Sequence, residues 1–331
     1  KMDFLGLRTL TVIRDAENEI KRSVPDFSIE KLDYDDAPTY AMLGQGDTEG
    51  VFQLESTGMK QVLIGLQPKN LEDVIALISL YRPGPMDSIP TYLRNRHQPD
   101  KISYKAPQLA HILDVTNGCI VYQEQVMQIC RELAGFSYGQ ADNVRRAMSK
   151  KKHAVMEAER AHFVYGNTEP GHECKGCVAN GIPVAVANEI YDDMSSFASY
   201  AFNKSHAACY AYVAYQTAYL KCHYPSAFMA ALLTSVLDNT DKVIEYSSEC
   251  TRLGIQVLPP DINVSNGGFT ADGKNIRFGL NAVKNVGRNL IEKVVESRKE
   301  SAFADLYDFC RRMRGGELNR RAVENLVRAG A

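Results

Sequence analysis

No stretch of this chain is apolar for long enough to cross a membrane. The best run, Ala227–Val236, falls well short of the roughly 20 residues that a spanning helix needs, so no membrane partner is expected. The opening KMDFLGLRTL lacks the order of a secretory leader. It also lacks an initiator Met, and the chain stops at RAGA in mid-pattern, which reads as a piece of something larger. The eight cysteines have no framework spacing, which in 331 residues fits a reduced, cytoplasmic protein. There is no excess of either charge: 38 Lys and Arg against 40 Asp and Glu leave a net −2, so bulk electrostatics does not advertise nucleic acid. No internal repeat is evident, which excludes a solenoid, although the last four helices can form two related hairpins.

What is present supports real cores. The hydrophobic share is 45%, and the length allows two or three domains. Helical spacing predicts helices over Thr11–Lys21, Tyr34–Met42, Val51–Leu63, Leu71–Leu80, Gln123–Leu133, Gln140–Met148, Val155–Tyr165 and Ala185–Phe197. Further helices are expected up to Tyr224, over Ser226–Leu237 and Asp241–Leu253, and after Leu280. Pro107–Leu113 reads as a short helix, Ile120–Val121 as a brief strand, and Tyr92–Asp100 as polar and basic. Composition shifts at Gly254: Ile255–Pro260 is extended, and Phe269–Phe278 suggests a hairpin around Asp272-Gly273.

Five segments carry chemistry, each with an ordinary reading beside it. Residues 197–221, FASYAFNKSHAACYAYVAYQTAYLK, open a helix with Asn203, Lys204, Ser205 and His206. A helix start with a cation suits an anion such as phosphate, and the same residues suit a plain cap. Arg145, Arg146, Lys150, Lys151 and Lys152 place five cations within eight residues, either a phosphate-binding face or a solvated one. Leu80-Tyr81-Arg82-Pro83-Gly84-Pro85-Met86 displays an aromatic and a guanidinium, both able to stack on bases, or is a rigid corner. Lys284-Asn285-Val286-Gly287-Arg288 between helices is similar to a helix-hairpin-helix turn, which aims backbone N–H groups at DNA phosphates, or is an ordinary hairpin. Asp3, an acid amid Met2, Phe4 and Leu5, is either a strand-borne metal ligand or a strand-edge residue. His172, Cys174 and Cys177 form a HxCxxC pattern with no second pair at finger spacing, so ordinary loop chemistry is preferred to zinc.

Taken in order, MDFLGLRTL, GVFQLES, LYRPGPM, VYQEQVMQI, AGFSYGQADNVRRAMSKKK, FASYAFNKSHAACYAYVAYQTAYLK, VLPPDIN and IRFGLNAVKNVG cover nearly the whole chain. The series resembles the C-family bacterial replicative polymerases, the family of the DNA polymerase III α subunit. The resemblance implies a mainly α chain: the end of a palm with a short strand in 1–20, a multi-helix fingers domain in 21–254, and a little finger with the start of a tandem helix-hairpin-helix, a small α+β subdomain, in 255–331.

It further implies template-directed DNA synthesis, in which a primer hydroxyl attacks the α-phosphate of a dNTP with the help of two Mg²⁺ ions. Asp3 matches the third of three catalytic, metal-binding aspartates; the other two would lie upstream, and this piece alone is expected to be inactive. Arg145, Arg146, Lys150, Asn203, Lys204, Ser205 and His206, with Tyr81 and Arg82, would face the nucleotide. Lys151, Lys152 and the 284–288 turn would meet DNA. Implied partners are primer–template DNA, the incoming dNTP, and, through the full-length protein, a sliding clamp and other holoenzyme subunits at the replisome. A non-catalytic helical DNA-binding module is the alternative.

Overall fold

Apolar residues at three- and four-residue spacing account for most of the secondary structure. The computed structural model describes residues 6–150, 153–198, 202–315 and 318–331, and within them the chain forms sixteen α-helices and one small sheet. The mainly α expectation therefore holds; the strand expected around Asp3 lies outside the described residues. Helix Arg8–Ile20 buries Val12, Ile13, Ala16 and Ile20 along one face. Helix Leu71–Leu80 has the expected bounds, because Asn70 caps it: its Oδ1 accepts the Asp73 N–H at 3.0 Å. It stops at Tyr81, before a turn in which Gly84 has φ 101°, a region that favours glycine.

Two expected elements differ in the structure, and one further helix carries no readable signal. The helix predicted over Val51–Leu63 begins only at Thr57, since Ser56 caps it and Gln53 upstream takes φ 63°. Of the helices expected after Leu280, one is Leu306–Arg312, whose start is set because Asp305 accepts the Asp308 N–H at 2.7 Å. Ile120–Val121 is no strand, and a single parallel bridge pairs Tyr122 with Phe202 instead. Helix Ile89–His97 went unpredicted: Pro90 sits in its first turn, where a helix tolerates proline, and only Ile89 and Tyr92 are buried. Two apolar anchors make too faint a period to read.

The chain divides into two compact units, one of Lys1–Met42, Asp47–Glu55 and Val213–Ala331, the other of Leu43–Gly46 and Ser56–Tyr212. In the first, helices Arg8–Ile20 and Pro225–Ser235 pack through Val12, Ala16, Phe228, Met229 and Leu233. Beside them Asn275–Arg277 is the central strand, parallel to Val257–Leu258 and antiparallel to Thr270–Asp272, with the expected tight turn at Gly273. A separate core of Leu290, Ile291, Val294, Phe303, Phe309 and Leu326 holds the C-terminal helices.

This unit also buries a charge. The Lys221 side chain is 0% exposed, and its ammonium donates to Asp47 at 3.0 Å, to the Glu49 carbonyl at 3.0 Å and to Glu249 at 2.7 Å. Arg252 forks onto Glu249 at 2.7 Å and also reaches Asp47. Burial alone would raise the Glu249 carboxyl, but the bonds from Arg252 and Lys221 outweigh it and hold it below the usual range.

In the second unit helices Gln123–Ala134, Tyr138–Ser149, His153–Tyr165 and Val184–Ala198 enclose Val126, Ile129, Leu133, Val144, Phe163 and Tyr191. Cys177 is buried in the same core as Cys130, and burial pushes its thiol up to about 12. His172 is exposed, and its carbonyl accepts from Gln140 at 2.8 Å. Among the described residues no group of three or more His, Cys, Asp or Glu stands together to hold a metal.

Candidate anion-binding site

Two helix starts lie side by side in the second unit. The Gln123 N–H donates to the Phe202 carbonyl at 3.0 Å and the Phe202 N–H to the Val121 carbonyl at 3.5 Å. That bridge sets the first turn of helix Gln123–Ala134 against the first turn of helix Lys204–His223. Buried Gln125 holds the junction. Its Oε1 accepts the Val121 and Tyr122 N–H groups at 2.8 and 3.0 Å, and its Nε2 donates to the Ile112 carbonyl at 3.1 Å and Thr116 Oγ1 at 2.7 Å. Nearly all the bonding capacity of that amide is used inside the protein.

The second helix start is capped as its sequence suggests: Asn203 Oδ1 accepts the His206 N–H at 2.9 Å. Its free donors face a carboxylate. The Lys204 N–H lies 3.2 and 3.1 Å from the two oxygens of Glu124, and Asn203 Nδ2 donates to Glu124 at 3.0 Å. This is how a helix N-terminus receives an anion, with a side chain as the anion. Lys204 Nζ pairs with Glu72 Oε2 at 3.0 Å, close in distance but without hydrogen-bond alignment, and sits 5.3 Å from the Tyr122 ring. Ser205 is exposed on the first turn. His206 stacks on Tyr210 and meets Phe202 edge-on, with centroids 4.5 and 5.2 Å away.

The basic helix reaches the same junction. Arg145 donates to Gln123 Oε1 at 3.1 Å through Nη1 and forks onto Asp142 Oδ1 at 2.9 and 2.6 Å. Arg146, with a side chain 63% exposed, takes the other Asp142 oxygen at 2.6 Å. The bonds from Arg145, together with Arg146, hold the Asp142 carboxyl below its ordinary value. Lys150 is exposed just past the helix. The Arg82 guanidinium lies 3.9 Å over the Phe202 ring, and burial lowers its pKa from the ordinary value without removing the charge. Tyr81 turns elsewhere: its hydroxyl packs on Gly58, where a Cβ would meet it at 1.9 Å.

Arg82, Arg145, Asn203 and Lys204 thus converge on Tyr122–Glu124 and Phe202. Asp3, Lys151 and Lys152 lie outside the described residues. Sequence reasoning missed Glu72, Gln123, Glu124 and Asp142. Asp142 was legible, standing three and four residues before the two arginines, where helix neighbours pair. The two Mg²⁺ ions implied by the resemblance find no donor set among the described residues, so no metal chemistry is assigned to them.

The 284–288 turn belongs to the first unit. Lys284, Asn285, Gly287 and Arg288 are exposed and Val286 packs on the C-terminal core. Asn285, at φ 62°, takes the left-handed conformation, not Gly287, which caps helix Arg288–Ser297 at φ −75°. A Cβ at Gly287 would meet nothing within 4 Å, so this glycine leaves the backbone bare toward solvent. Arg288 stands 3.6 Å from Asp238 with its side chain 67% exposed.

The finger domain of the bacterial DNA polymerase III alpha subunit matches residues 9–171, and a helix-hairpin-helix motif matches residues 254–331. Over all of this chain, 48% of positions are identical to DNA polymerase III subunit alpha of Thermus aquaticus and 44% to that of Bacillus subtilis (strain 168). The same protein of Pasteurella multocida (strain Pm70) is 43% identical. The chain spans 27%, 29% and 29% of the length of these three relatives.

Proposed function

The chain belongs to the bacterial DNA polymerase III α-subunit family, and from that premise we propose that the junction of its two helix starts holds the triphosphate of an incoming dNTP during template-directed synthesis by the whole subunit. The observation that carries the reading is the convergence of Arg145, Arg82, Asn203 and Lys204 on one backbone bridge, Tyr122 to Phe202. Arg145 supplies a planar fork for phosphate oxygens, and Lys204 a point charge with the N–H dipoles of its helix start. Arg146 on the same basic helix and Lys150 just past its end serve the outer phosphates, and Arg82 with the Phe202 ring offers a stacking surface for a base. These residues bind and orient; none is assigned a proton transfer.

In the same reading residues 21–254 are the fingers, 1–20 the end of the palm and 255–331 the little finger with the start of the tandem hairpins. The bare N–H groups at Gly287 and Arg288, with Lys284 beside them, hold the phosphates of primer–template duplex without reading its bases. Clamp and other holoenzyme contacts belong to the whole subunit, and this piece alone does not extend a primer.

Replacing Arg145 and Arg146 by Ala in the full-length subunit is expected to raise the dNTP KM about tenfold or more and to lower incorporation, since each charge-assisted bond to phosphate is worth about 1.5–3 kcal/mol. Steady-state kinetics identical to wild type would overturn the assignment.

A further inference from the structure

Four of the groups assigned to the triphosphate, Arg145, Arg146, Asn203 and Lys204, already hold a carboxylate of this chain. Glu124 takes the Lys204 N–H and the Asn203 amide, Glu72 takes Lys204 Nζ, and Asp142 takes Arg145 and Arg146. The arrangement repeats what a bound polyphosphate would do, with one acid on the helix start, one on the ammonium and one on the guanidinium fork. These acids are also free to leave. Glu124 is exposed, and the Glu72 and Asp142 side chains are 45% and 26% exposed, so water can solvate each as it departs. Such pairs hold weakly, whereas the Glu249 bonded to Lys221, with a side chain 5% exposed, cannot leave at small cost.

We propose that Glu124 is an internal competing anion, assisted by Glu72: it caps the Lys204 helix start and is displaced when a phosphate chain arrives. The inference rests on the triphosphate reading above and adds a device to it. The carboxylates keep the donors oriented and neutralised between substrates, and a ligand enters only if its charge exceeds what one carboxylate supplies at each donor. Phosphate oxygens on a chain that engages several donors together meet that condition; isolated carboxylates and chloride do not.

Glu124→Gln tests it cleanly in the full-length subunit, because the amide oxygen can still accept from Asn203 and Lys204 while the charge is gone. The probe is inorganic tripolyphosphate as a competitor of dNTP incorporation. E124Q is expected to lower its inhibition constant about fivefold, the size of one partly exposed charge pair, and to lower the dNTP KM in the same direction. E72Q, which removes the charge paired with Lys204 Nζ, is expected to shift the inhibition constant the same way by about twofold, and decides the matter if E124Q loses helical structure. An unchanged or raised constant in folded E124Q, while the Arg145 and Arg146 double replacement does raise it, overturns the competing-anion role and leaves the triphosphate reading standing. If the double replacement leaves the constant at its wild-type value, the triphosphate reading itself fails.

Discussion

Lys221→Met should destabilise the first unit far more than any surface lysine replacement. The ammonium is completely enclosed and makes three bonds, to Asp47, the Glu49 carbonyl and Glu249. Met retains most of the buried stem, so the change removes the charge with little cavity. What remains is a Glu249 carboxylate, 5% exposed, that keeps only Arg252, and a Glu49 carbonyl and Asp47 oxygen that lose a donor. Removing one member of a buried pair costs about 3–5 kcal/mol, and the surviving Arg252 fork places this case near about 3. In a chain of this size that lowers Tm by about 6 °C, at roughly 2 °C per kcal/mol. Urea titration followed by circular dichroism reads it as a lower midpoint of the transition that reports the first unit. The pH dependence is a second check. Because the folded Glu249 pKa is depressed, its contribution is present above the ordinary value of 4.5 and is lost as pH falls through the folded value. The gap between wild type and K221M should therefore be full at neutral pH and close in acid. A loss under about 0.5 kcal/mol at pH 7, no larger than for a surface residue, would refute the reasoning.

Two further outcomes follow from the geometry. Gln125→Leu leaves the Val121 and Tyr122 N–H groups and the Ile112 carbonyl without the partners they now have, and should cost about 2–3 kcal/mol in chemical denaturation; it should also raise the dNTP KM of the full-length subunit, since the junction under Arg145 loosens, and an unchanged KM with lost stability would confine Gln125 to folding. Gly287→Ala meets open space at an ordinary φ and should leave stability within about 0.5 kcal/mol, while weakening duplex DNA binding at low salt because the methyl covers the bare N–H groups; tight, unaltered binding by fluorescence anisotropy would remove that turn from the DNA interface.

The self-paired state of the site gives the Arg145 and Arg146 test a particular form. Truncating Arg145 also takes one partner from Asp142 and from Gln123 Oε1, so some of any change in KM comes from loosened scaffolding. Comparison with Gln125→Leu, which loosens the same junction and removes no charge, separates the two contributions.

The sequence by itself determined a good deal. The apolar period placed helix Leu71–Leu80 at its true bounds and most of the others within a few residues, because a helix face is a local property of spacing. It put Arg145 and Arg146 on one helix, marked Asn203 as a helix start, and placed a hairpin turn at Gly273, each set by neighbours a few residues apart. The ordered motifs placed the chain in its family. Only the tertiary structure decided which helix starts meet. Glu124 covers donors 79 and 80 positions away, through a bridge between Tyr122 and Phe202 that no local pattern encodes. Lys221 reads in the chain as an ordinary cation in the last turn of a helix, yet acids from 174 positions before it and 28 after it enclose it completely. Periodicity tells which side of a helix turns inward; the partner it finds there depends on the packing of distant elements, and so the same residue types produce an exchangeable pair at Lys204 and a fixed one at Lys221.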